Sequence, residues 1–176
     1  MISKLGKSGG YLVAFLATAM LFHSSPLQAA AAGSGVRSEN GKYLDKDDVP
    51  TYNVKEDGTV DWYTYNGYRR YHQYCHVCHG PDALGSSFAP PLKDTLTDMT
   101  YEQFQEIVVN GRTVITTSKQ NVMPAFGDNL NVMCFLDDLY AYVKARSDDA
   151  IPRGRPQKKE AKSDQTRKEE DECYGG

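Results

Sequence analysis

The sequence has little that could cross a membrane or bind nucleic acid. Its one sustained apolar run, from Tyr11 to Phe22, is too short for a spanning helix, and no later segment approaches the length a bilayer needs. Bases do not outnumber acids: 20 Lys and Arg stand against 23 Asp and Glu, a formal net charge of −3, which argues against a nucleic-acid partner. Alternating apolar and polar residues of useful length are missing, as is any internal repeat, so neither a half-buried sheet nor a solenoid is expected. Histidine is scarce, at four residues, and cysteine equally so. No second Cys or His pair stands at zinc-ligand spacing from the first.

The N-terminus reads as a leader. Lys4 and Lys7 precede the apolar run, and Ala29 to Ala32 offer the small residues a signal peptidase accepts, so residues 1–32 are expected to be a secretory signal and the mature chain to lie in the periplasm without a membrane span. Loss of the two lysines would take the net charge to −5.

Cys75, His76, Val77, Cys78 and His79 form a Cys-x-x-Cys-His motif. Two thiols on one helical turn can each add to a porphyrin vinyl group, and the adjoining imidazole then reaches the iron. A redox-active thiol pair would want a βαβ setting, and a zinc site a second ligand pair; neither surrounds this motif. The expected cofactor is therefore one covalent haem c on Cys75 and Cys78, with His79 as an axial ligand. Among the methionines beyond the leader, Met123 is the best placed sixth ligand. It sits in a loop, and Pro124 biases it towards extended backbone that can project the side chain. Met99 and Met133 read as packing residues.

Around this motif the chain falls into segments. Residues 33–61 hold seven acids, four bases and few aliphatics, as an extended or irregular N-terminal arm. A domain is expected over 62–147. Seven of the twelve tyrosines fall between Tyr43 and Tyr74, where amphipathic cover for the domain is the expected role. Asn66 to Tyr74 reads as helix, and Gly80, Pro81, Gly85, Pro90 and Pro91 make residues 80–99 irregular. A further helix starts at the Thr100/Gln103 capping box and stops at Asn110-Gly111. A loop then runs to about Leu130, and a last helix spans about 131–146 with Val132, Phe135, Leu136, Leu139, Tyr142 and Val143 on one face. Residues 148–176 are a charged tail of eight acids and seven bases, disordered if left alone.

These residues together resemble a class I cytochrome c over most of 66–146. Gly67 and Tyr71, eight and four residues before Cys75, match the Gly and aromatic residue of that family's N-terminal helix. Leu139 and Tyr142 match the C-terminal helix that crosses it. Pro90 matches the proline whose carbonyl accepts a hydrogen bond from the proximal histidine, and Val122-Met123-Pro124-Ala125-Phe126 matches the distal loop. The resemblance implies an all-α fold of about three to five helices around one haem, an irregular arm and tail, and an electron carrier rather than an enzyme. Ala89, Pro90, Ala125 and Phe126 are then expected to form an apolar docking rim.

A narrower similarity, carried by the lead-in from Trp62 to Gly67, the haem motif, Cys134 and Cys173, is to four-cysteine c-type cytochromes of methanol metabolism. It implies a PQQ-dependent methanol or alcohol dehydrogenase as donor and a terminal oxidase or another cytochrome as acceptor. A general respiratory cytochrome c, a subunit of a larger oxidoreductase, and a haem peroxidase or sensor are the other readings. Cys134 and Cys173 remain once haem is attached, and an oxidising compartment favours a disulfide between them. Free thiols or an intermolecular bridge are the alternatives.

Overall fold

The computed structural model describes residues 36–37, 41–117 and 120–175; the expected leader, 1–32, lies outside them. Two long helices cross to make the centre of the fold. The first, α1 (Trp62–Tyr74), starts four residues before the Asn66 read from sequence, because Asp61 caps it. The Asp61 carboxylate accepts from the Thr64 backbone N–H and hydroxyl at 2.8 and 2.6 Å, and from the Asn53 N–H at 2.8 Å, so one buried side chain closes the helix and ties the arm to it. The last long helix of the domain is split. A short α5 (Leu130–Met133) ends at Cys134 and Phe135, whose φ of −130° is not helical, and α6 (Leu136–Ser147) begins after it. The single helix expected over 131–146 is thus two, kinked where Cys134 is drawn towards the tail.

Tyr71, Leu139, Tyr142 and Val143 are fully buried between α1 and α6. Gly67 is the point of closest approach: a Cβ there would lie 1.8 Å from the Asp138 carbonyl oxygen and 2.8 Å from the Tyr142 Cβ. Between the long helices run α2 (His76–His79), a 3-10 turn (Pro81–Ala83), α3 (Leu92–Thr95) and α4 (Tyr101–Asn110). The capping box of α4 forms in both directions between Thr100 and Gln103, and Gly111, at φ 72°, stops the helix. The arm is more than a coil. Short strands β1 (Val36–Arg37), β2 (Tyr43–Leu44) and β3 (Pro50–Thr51) pair antiparallel, and Tyr52 and Val60 enter the core, so the packed unit does not begin at residue 62.

The loop expected after α4 contains a hairpin of β4 (Arg112–Ile115) and β5 (Gln120–Met123), with Arg112 opposite Met123. Thr113, Val114 and Ile115 supply β-branched residues, in a run too short to stand out by alternation. The tail is ordered too. Residues 151–162 form a strap whose backbone bonds to Val60 on both sides of Lys159, and α7 (Asp164–Cys173) follows. Thr166 of α7 meets the buried Tyr63 hydroxyl at 3.0 Å, and Cys134 and Cys173 are disulfide-bonded. No helix among the described residues is long and apolar enough to cross a membrane.

The disulfide closes a loop with a sequence separation of 39. Chain-entropy arithmetic for such a loop gives about 4 kcal/mol of stabilisation before strain. Cys134→Ser with Cys173→Ser should lower the urea midpoint accordingly and make residues after 151 the first proteolytic target. An unchanged midpoint would mean that the polar contacts of the strap hold the tail by themselves.

Asp138, on α6, is buried and accepts a 2.8 Å bond from the Asn66 amide. Burial pushes its carboxyl up to about 8, against the pull of Lys42 and of the Asn66 bond. A carboxyl held above its unfolded value binds its proton more tightly in the folded state. Its stabilising contribution is complete below about pH 4 and is lost as pH rises through about 8. Asp138→Asn should flatten that decline between about pH 4 and 8 by a few kcal/mol, measured as unfolding free energy against pH, and a wild-type contribution from this group that rises from pH 5 to 8 would contradict the assignment.

Candidate functional site

Cys75 follows α1 directly, with helical φ and ψ, and α2 continues from it, so Cys75 and Cys78 lie one turn apart with His79 next. Both thiols are free; Cys78 is exposed and Cys75 half-buried. Burial pushes the Cys75 thiol up to about 12, with the neighbouring Cys78 adding to the effect. His79 is 7 % exposed. Its Nδ1 lies 3.0 Å from the Pro90 carbonyl oxygen, to which it can only donate, and this leaves the Nε2 lone pair for a metal. Burial lowers the His79 pKa, against the raising effect of the Pro90 bond, which favours the neutral imidazole that coordinates.

The loop after His79 is coiled tightly enough to fix that bond. Gly80, at φ 74°, lies where a Cβ would come 2.1 Å from the Gly85 carbonyl, and Gly85 donates its N–H to the His79 carbonyl at 2.7 Å. The buried Tyr71 hydroxyl donates to the Gly80 carbonyl at 2.6 Å, linking α1 to the loop. Asp82 extends the brace to the tail: its carboxylate accepts from the Gly154 N–H at 2.7 Å and Arg153 at 3.2 Å, and its carbonyl from the buried Arg146 at 3.2 Å.

Met123 is the last residue of β5 and is partly buried against the core. Its loop is pinned to the end of α4. A Cβ on Gly111 would lie 2.6 Å from the Met123 carbonyl and 2.8 Å from the Ala125 nitrogen, and the N–H groups of Phe126 and Gly127 donate to Val108 and Val109 at 3.0 Å. Phe126 meets Tyr74 edge-on at 6.4 Å, bringing the loop onto the end of α1. Met99 and Met133 also pack on the core, Met99 just before the Thr100 cap of α4 and Met133 at the end of α5. His72 bonds through Nδ1 to the Tyr68 carbonyl at 2.9 Å and faces His76 and Tyr68, on the helix that leads into the motif.

Of the expected rim residues, Pro90 and Ala125 are exposed, while Ala89 and Phe126 are half-buried. The sequence reading passed over Phe88, Val77 and Val122, all well exposed, and the Tyr71 to Gly80 bond. Only the aromatic character of Tyr71 pointed at the latter; its hydroxyl was the unused signal.

The donor set fits a covalently attached haem. Two free thiols one turn apart stand beside a buried imidazole that is already oriented by a carbonyl, and the glycines of the loop leave room for close backbone packing.

Residues 64–143 match the family described as Cytochrome C oxidase, cbb3-type, subunit III. The chain is 50% identical over 138 residues to cytochrome c-553I of Paracoccus denitrificans, covering 78% of this chain and 61% of that protein, so it spans about three fifths of that relative's length. It is 41% identical over 100 residues to cytochrome c-555 of Methylococcus capsulatus, covering 56% of this chain and 75% of the relative. The fold is similar to the crystal structure of the c-type cytochrome XoxG from Methylobacterium extorquens AM1, with a TM-score of 0.73 and 50% identity over 81% of this chain and 87% of that one.

Proposed function

Because this chain belongs to the c-type cytochromes and carries covalent haem c, we propose that it is a periplasmic one-electron carrier taking electrons from a PQQ-dependent methanol or related alcohol dehydrogenase. Its electrons would pass towards a terminal oxidase or another cytochrome. The observation that carries the reading is the buried His79 imidazole, oriented by Pro90 and preceded by Cys75 and Cys78 one helical turn apart, with the Met123 loop anchored on α4. Haem on such a site supplies a ferric/ferrous couple.

The protein's part is positional. Cys75 and Cys78 would hold the haem covalently, Pro90 fixes the ring of His79, and Met123 is the residue proposed to supply the second ligand to the haem iron. With both iron ligands supplied by the chain, such a group would exchange electrons without admitting substrate, which would separate a carrier from a peroxidase or sensor. Phe88, Val122 and Ala125 would form an apolar contact rim for brief encounters, with surrounding charge setting the rate of approach. The four-cysteine pattern and the Trp62 to Gly67 lead-in support the choice of donor.

The test mixes purified oxidised protein with the dehydrogenase and its alcohol and follows haem reduction. Reduction at catalytically useful rates is expected. Rapid reduction by the quinol-oxidising complex of the same cell, with none by its alcohol dehydrogenases, would move the assignment to a general respiratory carrier. The matched family's description as an oxidase subunit favours one rival, a stable subunit of a larger complex; size exclusion with candidate partners would then give a single co-eluting species.

A further inference from the structure

The strap between α6 and α7 runs against the charge of the rest of the chain. Residues 151–162 hold five bases and one acid in a protein of net charge −3. Arg153 is matched by Asp82, Lys158 by Asp57, and Lys162 by Glu170, while Glu160 is taken by Lys55. Arg155 and Lys159 have no carboxylate partner among the described residues, and both turn over the same ring. The Arg155 guanidinium carbon lies 5.6 Å and the Lys159 ammonium 4.9 Å from the centre of Tyr65.

Tyr65 is 4 % exposed, with its hydroxyl accepting an N–H from Arg155. The hydroxyl's own proton is therefore left to donate. An open pocket of about 220 Å³ lies here, lined by Tyr65, Arg155, Pro156, Gln157 and Lys159, with no acid in its wall among the described residues. The two charged residues that line it, Arg155 and Lys159, are both cationic, and the buried ring behind weakens water's screening. The backbone is already set. Val60 donates to the Lys158 carbonyl at 3.2 Å and accepts from the Glu160 N–H at 2.9 Å, so Lys159 is held from both sides, and the Gln157 amide donates to the Arg155 carbonyl at 2.8 Å.

We propose that this pocket is a carboxylate-binding site, in which Arg155, Lys159 and the Tyr65 hydroxyl grip the two oxygens of one carboxylate. The guanidinium supplies a planar pair of donors, the ammonium a point charge and the hydroxyl a directed bond, with little ordering left to be done on binding. Tyr65 stands ten residues before Cys75, about 15 Å along the helix axis, so the site is an anchor set apart from the apolar rim.

The experiment titrates the reduced holoprotein with acetate replacing chloride at fixed ionic strength, followed by amide NMR, so that general screening is constant. Saturating shifts confined to Tyr65 and residues 154–160 are expected. Arg155→Gln with Lys159→Gln should weaken binding about tenfold or more, whereas Lys158→Gln, which removes a charge next door, should change it less than about twofold. Tyr65→Phe keeps the ring and should weaken binding severalfold; with Lys159→Gln alone it decides the matter if the double variant loses its native visible spectrum.

A tetraglutamate peptide giving the same shifts at lower concentration than acetate would identify the occupant as an acidic segment of a partner protein. Saturation by acetate without response to the peptide would identify it as a free small acid. Shifts that grow linearly with acetate, or that persist unchanged in the Arg155/Lys159 variant, would overturn the site.

Discussion

Replacing Gly67 with alanine is expected to cost about 3 kcal/mol of folding stability and much of the yield of haem-loaded protein. Alanine in mid-helix normally gains about 1 kcal/mol over glycine. Here the new methyl would fall 1.8 Å from the Asp138 carbonyl oxygen and 2.5 Å from its carbon. Those are backbone atoms of α6, so relief requires α1 and α6 to separate. Separation loosens Tyr71, Leu139 and Tyr142 together, and with Tyr71 goes the bond that holds the Gly80 carbonyl. The propensity gain is the smaller quantity and should lose. Denaturant unfolding of the holoprotein measures the difference, and a midpoint equal to the parent's would show that the two helices are free to slide apart.

Met123→Ala should produce the largest spectroscopic change. On the proposed ligand set, the weak sulfur-to-iron charge-transfer band of the oxidised protein disappears, cyanide or carbon monoxide gains access, and the potential falls by a sizeable part of the roughly 0.8 V that axial ligands command. Met99→Ala and Met133→Ala are the controls, since Met99 stands beside the α4 cap and Met133 at the end of α5, outside the loop of Met123. They should cost stability, about 2 to 5 kcal/mol where truncation leaves a cavity, and leave the band in place. If Met133→Ala abolishes the band and Met123→Ala retains it, the ligand assignment is wrong.

The helical class and the grouping around 75–79 were legible because each rests on local chemistry. The Cys-x-x-Cys-His spacing, the Thr100/Gln103 box and the stop at Gly111 each act within a few residues. What depends on distant partners was harder to read. Helix α1 could have been started correctly from Asp61, whose cap signal stands three residues before Thr64. Nothing local marks the break between α5 and α6, which falls where Cys134 bonds a residue 39 positions away. The hairpin of β4 and β5 needed a partner strand to distinguish a β-branched run from a loop.

The strap was the least legible part. Polar composition such as that of 148–176 predicts disorder because too little apolar surface is available to offset chain entropy. Beyond the buried Ile151, its order comes from specific polar bonds to an existing surface, Arg153 and Gly154 on Asp82, Lys158 on Asp57 and the backbone on Val60, with Thr166 of α7 on Tyr63 further along. Hydropathy cannot foresee such bonds, because the donors and acceptors are ordinary surface residues until their partners are known.

The disulfide also changes the topology of the chain. Residues 134–173 become a covalent ring that contains all of α6, the strap and α7. A single cut anywhere in that ring opens it without releasing either piece. A molecule nicked in the strap would migrate as one species until reduced and as two afterwards. Because the severed end stays tethered at Cys134, it remains at high effective concentration beside α1 and can re-dock. Backbone cleavage in the exposed part of the strap is therefore expected to leave the helix crossing at Gly67 intact.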